Sequence, residues 1–179
     1  MKKLLLLLII PFLSFGQDTP QFQLQPGAID KIVISIDSLS AEKMYEKVMN
    51  WVKETYKNPT KVIMSEIKNE KLRINGYEKK AFGWTMMGTY INYDIDYSLE
   101  FEFKEGRVRV SYFPNQFYVS SDGTKCTFTH NLFWDEKTRK KKKQRERCDK
   151  AINDINQHMN RLVSSFYNYL QVPIQEDNW

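Results

Sequence analysis

The chain has 179 residues, of which 41% are hydrophobic and 27% are charged, and its formal net charge is +5. This length suits one domain with a real hydrophobic core. The sequence contains no glycine-rich phosphate loop, no His-Glu-x-x-His helix and no paired-cysteine zinc spacing, which excludes the protein classes that these motifs define. An enzyme whose site is assembled only in space is not excluded.

The N-terminus has the features of a secretory signal peptide. Lys2 and Lys3 precede an apolar run over residues 4–13, and small residues follow at Ser14 and Gly16, after which we expect cleavage. Ten apolar residues are too few to span a membrane, so the predicted signal peptide, residues 1–16, leaves no transmembrane segment after cleavage. We therefore expect an exported protein, periplasmic or associated with the cell envelope. The alternative is a buried N-terminal helix.

A polar leader, a strand and an amphipathic helix begin the predicted mature chain. Residues 17–30 contain two prolines and a glycine and show no period, so we interpret them as a loose leader. Residues 31–37 alternate as a strand, and Ser40 is the expected N-cap of the helix that follows, which ends at Asn58-Pro59. Its apolar residues recur at the spacing of a core-packing stripe. They are Met44, Tyr45, Val48, Trp51, Val52 and Tyr56.

Two stretches lie between this helix and the centre of the chain. Residues 61–76 predict a hairpin that turns at Asn69-Glu70. In this register two pairs face each other across the strands: Ile67 with Leu72, and Glu66 with Arg73. Residues 77–88 keep neither the strand period nor the helix period, so they form a bulged strand or an irregular crossing.

The strictest pattern is the alternation of apolar and polar residues from Tyr90 to Tyr112, which is typical of a hairpin with one packed and one solvent-facing side. A two-residue loop at Glu105-Gly106 sets the register. The predicted pairs are Phe103 with Val108, Phe101 with Val110, Leu99 with Tyr112, and Glu102 with Arg109. The solvent-facing side carries an acidic row: Asp94, Asp96, Glu100 and Glu102. This row could be a site for a cation or for a basic partner. The alternative is a solvent-exposed face whose charge is neutralised by Arg73, Arg107 and Arg109.

The last part of the chain predicts a strand and a long helix. The Pro114-Asn115 step interrupts the second strand of the central hairpin, and residues 125–134 alternate as a last strand. From Cys148 an apolar stripe at helical spacing would cover the sheet, and Pro173 ends the helix, leaving residues 173–179 as a tail. The stripe is Cys148, Ile152, Ile155, Met159, Leu162, Phe166 and Tyr169.

This order of elements resembles that of exported bacterial proteins that carry the domain of unknown function DUF4468. Tyr45 and Trp51 on the first helix match the tyrosine and tryptophan of that family. The hairpin strands at residues 62–67 and 72–76 match its hairpin, and the resemblance covers roughly residues 31–170.

The resemblance implies a fold like that of the TATA-box-binding protein, a curved antiparallel sheet of about five to six strands with two helices on one face. We expect this α+β fold, in the order strand, helix, four or five strands, helix, as a single domain over residues 31–172. The resemblance implies no known activity and transfers no functional residue. DNA is not an expected partner, because the acidic row would repel phosphate.

The two histidines lack a nucleophile at any recognisable spacing. His130 falls in the apolar phase of the predicted last strand, and His158 lies beside the apolar stripe of the long helix, so we expect structural roles for both. We therefore assign no catalytic, cofactor-binding or metal-binding residue, and we expect neither a cofactor nor enzymatic activity.

Positive charge is concentrated between Lys137 and Arg147, where eight cations and one glutamate give a local charge of +7. The cations are Lys137, Arg139, Lys140, Lys141, Lys142, Lys143, Arg145 and Arg147. They are candidates for contact with an anionic lipid surface, lipopolysaccharide or another polyanion. The alternative is a solubilising surface. Because neighbouring cations repel and oppose a helix dipole, we expect an exposed loop or a frayed first turn.

The chain has two cysteines, Cys126 and Cys148, and both fall on apolar phases. Export and an even count favour a disulfide between them, with two separate buried thiols as the alternative. If the long helix began as early as Lys137, the two cysteines would lie too far apart to be bridged.

From the sequence alone, we expect an exported, non-catalytic binding or interaction module of the cell envelope. Its partner would be an unidentified protein or an anionic envelope surface. Two alternatives remain: a carrier for an apolar small ligand held between the sheet and the long helix, and a hydrolase with a spatially assembled site.

Overall fold

The computed structural model describes residues 20–27 and 30–172. The predicted signal peptide at residues 1–16 and the predicted tail at residues 173–179 lie outside these described residues. Five strands form one antiparallel sheet in the order β1-β5-β4-β3-β2. They are β1 (Asp30–Ser35), β2 (Ile63–Ile67), β3 (Lys71–Met86), β4 (Thr89–Lys104) and β5 (Arg107–Val119). The helices are α1 (Ala41–Thr55), α2 (Pro59–Val62), α3 (Glu136–Arg139) and α4 (Lys142–Gln171).

The central hairpin, β4 and β5, has the predicted register. All four predicted pairs are formed, and an ion pair joins Glu102 to Arg109. Phe101 is 1% exposed, whereas Glu102 is half-buried and Lys104 is exposed. The alternation therefore identified the packed face, because successive strand side chains point to opposite sides.

The register predicted for the β2–β3 hairpin was wrong by one residue. Ile67 pairs with Lys71, and the loop between them has three residues rather than two. Asn69 in this loop has a positive φ of 64°, a conformation that asparagine tolerates better than most residues. The shift places Ile67 on the open face, 55% exposed, and turns Glu66 toward α1, where it accepts a hydrogen bond from the Tyr45 hydroxyl.

Of the two interpretations of residues 77–88, the bulged strand is correct. The pairing of β3 with β4 shifts between Glu78 and Phe82, and Lys80 there has a positive φ. A two-residue turn at Met87-Gly88, with positive φ at both positions, then joins β3 to β4.

The last strand predicted over residues 125–134 was wrong. Lys125 forms a single bridge to Tyr118, and His130–Trp134 is a 3-10 helix. Phe133 is fully buried and packs on Phe82 and Phe117 at ring-centroid distances of 5.5 and 5.8 Å. The segment is therefore held by aromatic packing at one end of the sheet, which needs no strand pairing.

The helices α1 and α4 cover one face of the sheet. Ser40 caps α1 as predicted, accepting a hydrogen bond from the Lys43 amide. Trp51 of α1 packs on Phe166 of α4, with ring centroids 5.6 Å apart. The buried Lys47 ammonium donates to the Leu170 carbonyl at 3.1 Å, so α1 also satisfies the C-terminal end of α4.

The segment predicted as a loose leader is packed where the structure describes it. Phe22 and Leu24 are 3% and 6% exposed. Their backbone amides donate to the Oδ1 atoms of Asn160 and Asn156, at 2.6 and 2.8 Å. Residues 20–25 therefore lie against α4, because that helix supplies both an apolar surface and side-chain amides to a segment without strand partners.

Candidate functional site

The basic end, as we call the eight cations from Lys137 to Arg147, lies on α3, on the first turns of α4 and on the two residues between these helices. Six of its side chains are exposed, while Arg139 and Arg147 are half-buried. The exposed loop or frayed turn expected for this segment was wrong, since α4 already begins at Lys142. Burial of the helix from Cys148 onward, with Ala151 fully buried, offsets the unfavourable charge at its start.

Arg139 attaches the basic end to the core. Its Nη1 donates to the carbonyl oxygen of the buried Phe133 at 2.7 Å, and its Nη2 lies 2.6 Å from Asp149 Oδ1. Asp135 caps α3 by accepting a hydrogen bond from the Thr138 amide at 2.7 Å. The cations are therefore held in a defined place rather than on a loose chain.

Most of the positive charge of the basic end is not neutralised. Arg139 pairs with Asp149, and Lys142 lies 4.0 Å from Glu146. The other six cations form no ion pair with a carboxylate of the described residues. The first turn of α4 contains no acidic residue, and its N-cap, Lys141, forms no side-chain capping bond. Cations there oppose the helix dipole at a cost of about 0.3–1 kcal/mol each, so they do not stabilise the fold.

A second surface feature, the methionine tip, is the pair Met86 and Met87 at the β3–β4 turn. Met86 is 44% exposed, Met87 is fully exposed, and Tyr90 beside them is 53% exposed. Three large apolar side chains thus face solvent at one turn. The sequence placed the two methionines only in the stretch without a clear period, and Tyr90 at the start of the alternating stretch.

The methionine tip and the basic end lie at the same end of the molecule, because α4 runs antiparallel to β3. Glu78 of β3 faces His158 of α4, with 3.4 Å between Oε1 and Nδ1. Seven residues further along β3, Thr85 pairs with Tyr90, whose hydroxyl interacts with Lys150 of α4. Residue numbers therefore rise along β3 as they fall along α4.

The acidic row of β4 does not form one site. Asp94 is buried and accepts hydrogen bonds from the Tyr77 hydroxyl at 2.7 Å, the Lys80 amide at 2.8 Å and the Ser120 hydroxyl. Burial alone would raise the pKa of Asp94, but these hydrogen bonds lower it below its usual value. Asp94 therefore holds the β3 bulge in place and is not available to a ligand.

Of the other acidic residues, Asp96 is half-buried, and two are neutralised by ion pairs on the open sheet face. Glu100 is 2.9 Å from the Lys71 ammonium, and Glu102 pairs with Arg109. A groove of about 690 Å³ crosses this face, lined by Val33, Ile67, Glu70, Lys71, Glu102, Phe103, Lys104, Arg107 and Arg109. Within residues 20–27 and 30–172, no group of three or more His, Cys, Asp or Glu side chains could hold a metal ion.

His158 belongs to a buried polar cluster, and His130 lies apart from it in the 3-10 helix. Burial and the nearby Arg161 lower the pKa of His158 to about 4, so its ring is neutral at pH 7. Its Nδ1 faces Glu78, and its ring contacts Tyr97 at 5.5 Å between centroids. Its Nε2 is buried without a hydrogen-bond partner among the described residues.

The expected disulfide was wrong, because Cys126 and Cys148 are free thiols in the structure. Cys126 lies in the irregular segment after β5 and is half-buried, whereas Cys148 is buried on α4. The prediction assumed a strand over residues 125–134 and an extended chain up to Lys143, and neither is present. Burial raises the pKa of both thiols, so neither is an activated nucleophile.

The layer between the sheet and α4 is filled by side chains. A cavity of about 10 Å³ remains beside Trp51, Phe101 and Phe166, room for about one water molecule. This volume is far below the several hundred Å³ typical of a small-ligand pocket. None of the helices in residues 20–27 and 30–172 combines the length and hydropathy that crossing a membrane requires.

An open five-stranded antiparallel sheet with helices on one face places this protein among α+β domains of the TBP-like class. A crystal structure of a DUF4468 family protein from Bacteroides ovatus matches 84% of this chain and 91% of its own, with a TM-score of 0.56 and 13% identity. A TBP-like protein from Parabacteroides distasonis matches 79% of this chain and 90% of its own, with a TM-score of 0.56 and 11% identity. At these identities the likeness shows the fold alone.

Residues 31–114 match the model of the family DUF4468, a domain of unknown function with TBP-like fold. The resemblance seen in the sequence is thereby confirmed, although the family match ends at residue 114 rather than near residue 170. No curated protein matches the chain.

Proposed function

We propose that this protein is an exported, non-catalytic binding module of the bacterial cell envelope that docks on an anionic surface through its basic end. The observation that carries the proposal is that six cations, which form no ion pair within the described part of the chain, are held at one end of the fold by Arg139. Arg139 itself contacts Phe133 and Asp149.

Electrostatics supports this use of the basic end. A lysine or arginine close to an anionic lipid surface contributes about 1 kcal/mol to binding. Because neighbouring cations act within a Debye length of about 10 Å, their attraction adds up at low salt and is screened as salt rises. The same charges weaken the start of α4, so stability does not account for them.

The alternatives have less support. The carrier requires a pocket of several hundred Å³, whereas the cavity beside Trp51, Phe101 and Phe166 in the sheet–helix layer has about 10 Å³. For the hydrolase, the buried histidine, His158, has a carboxylate and a phenol ring beside it but no serine or cysteine nucleophile in its described contacts. A solubilising role for the basic end needs no partner, and the following experiment separates it from binding.

Changing Lys140, Lys141, Lys142 and Lys143 to Gln should weaken binding to a polyanion by about 30-fold or more at low salt, because four cations are removed from one contact surface. We would measure the salt concentration at which the protein elutes from immobilised heparin. The matched control changes four exposed lysines of α1, α2 and the loop between them to Gln, with the same loss of charge: Lys43, Lys53, Lys57 and Lys61.

The control variant should elute close to the wild-type protein, and the basic-end variant should elute well before it. Equal shifts in both variants would mean that retention reports total charge only. A wild-type protein that passes through unretained would leave the solubilising interpretation.

A further inference from the structure

We infer that the anionic surface is a lipid bilayer, into which the methionine tip inserts while the basic end contacts the head groups. This inference rests on the proposed function and adds the class of partner. Its support is the position of two different features, one apolar and one cationic, at the same end of the fold.

The antiparallel course of β3 and α4 determines this position. Glu78 of β3 faces His158 of α4 at 3.4 Å, and further along the same hairpin Tyr90 lies near Lys150 of α4. From that contact Met87 lies three residues along the turn, within about 10 Å. Lys142 lies eight residues along the helix, about 12 Å away. The β3–β4 turn and the start of α4 extend in the same direction from this point. The methionine tip and the cations can therefore contact one surface together.

The chemistry of the tip favours a bilayer over a soluble polyanion. Met87 is fully exposed, and Met86 and Tyr90 beside it are about half exposed, so apolar surface faces water at a protruding turn. A soluble polyanion has no apolar layer that could take up these side chains. A membrane interface offers an apolar layer to the methionines, a boundary region where tyrosine is favoured, and anionic head groups to the cations.

The turn itself suits shallow insertion. Met87 and Gly88 take positive φ in a two-residue turn, which places the Met87 side chain at the outermost point of the hairpin. Gly83 on the neighbouring strand leaves room for the Tyr90 ring, since a Cβ there would lie 2.7 Å from the Tyr90 hydroxyl oxygen. The Tyr90 ring therefore lies over Gly83 at the base of the tip.

The test uses Met87→Ser, with Met64→Ser as the matched control. Met64 lies on β2 and is 58% exposed, so both changes remove one exposed methionine and neither opens the core. The probes are phosphatidylcholine vesicles in which about a third of the lipid is phosphatidylglycerol, and immobilised heparin. Sedimentation with vesicles gives the affinity for a bilayer, and elution from heparin gives the affinity for a polyanion.

Met87→Ser should bind the vesicles about tenfold more weakly than the wild-type protein, because a methionine side chain is no longer transferred from water. Its elution from heparin should not change, and Met64→Ser should match the wild type in both assays. If Met87→Ser binds vesicles as the wild type does, or if the wild type binds heparin but ignores vesicles, the bilayer is the wrong partner and a soluble polyanion takes its place. If the wild type binds neither, the proposed function fails as well.

Discussion

Replacing Phe101 with alanine is expected to lower the free energy of unfolding by about 3–5 kcal/mol, the usual cost of truncating a buried aromatic residue. Phe101 is 1% exposed and lies in the layer between sheet and helices. Its ring contacts Phe166 at 5.3 Å and Trp51 at 6.2 Å between centroids, so one side chain joins β4 to both long helices. Denaturant unfolding of the variant measures the loss.

The matched control is Phe113→Ala on the opposite face of the same sheet. Phe113 is half-buried, and its described ring contact is the Arg73 guanidinium, 5.1 Å from the ring centroid. A cation–π contact outside the core is worth about 0.5–1 kcal/mol, and the half-buried ring also loses part of its apolar burial, so this variant should lose about 1–2 kcal/mol, well below the loss at Phe101. Equal losses at Phe101 and Phe113 would show that the packed and open faces are assigned wrongly.

A single added methyl group at Gly76 is expected to cost about 3 kcal/mol. A Cβ on Gly76 would lie 2.2 Å from Cζ of Tyr97, the residue paired with it on β4. The Tyr97 ring cannot move aside, because it is 3% exposed and packed between His158 and Tyr112 at 5.5 and 5.6 Å. Overpacking of this kind forces the backbone or the ring out of place.

A double-mutant cycle tests this account of Gly76. In a Tyr97→Leu background the ring is absent, so Gly76→Ala should cost less than about 1 kcal/mol. Equal costs in the two backgrounds would mean that the glycine is needed for its backbone conformation and not for the space above it. Denaturant unfolding of the four proteins provides the comparison.

The sequence was most informative where one physical requirement controlled the pattern. On β4, every second side chain from Ile91 to Phe103 is apolar, so a slip of one residue would bury charge. This requirement defined the packed face and the register with β5. The basic end could also be predicted from the sequence, because a run of charges consists of residues that are neighbours in the chain.

The errors arose where two different interactions leave the same sequence pattern. Residues 125–134 alternate like a strand, but the fully buried residue, Phe133, lies outside the alternating phase and packs on Phe117 and Trp84. The β2–β3 register depended on whether Asn69 takes a positive φ, which an asparagine permits but does not require. Phe22 and Leu24 lie in a segment that is too short to show a period, so no sequence pattern indicated that they pack on α4.

The candidate surface needed the fold because its two parts lie far apart in the chain. Met87 and Lys142 are separated by 55 residues, so neither the methionine pair nor the charge run indicates that the other lies nearby in the fold. The bulge in β3 and the start of α4 at Lys142 both had to be known before the two could be placed at one end. Only the cationic half of this surface could be predicted from the sequence.

The most direct measurement of the central claim is sedimentation of the wild-type protein with vesicles of two compositions at two salt concentrations. We predict that the protein binds phosphatidylglycerol-containing vesicles at low salt and ignores pure phosphatidylcholine vesicles. Raising the ionic strength to about 1 M, where the Debye length falls to about 3 Å, should weaken the binding strongly. Binding that is equal for both vesicle types and insensitive to salt, or absent from both, would contradict an electrostatic docking role for the basic end.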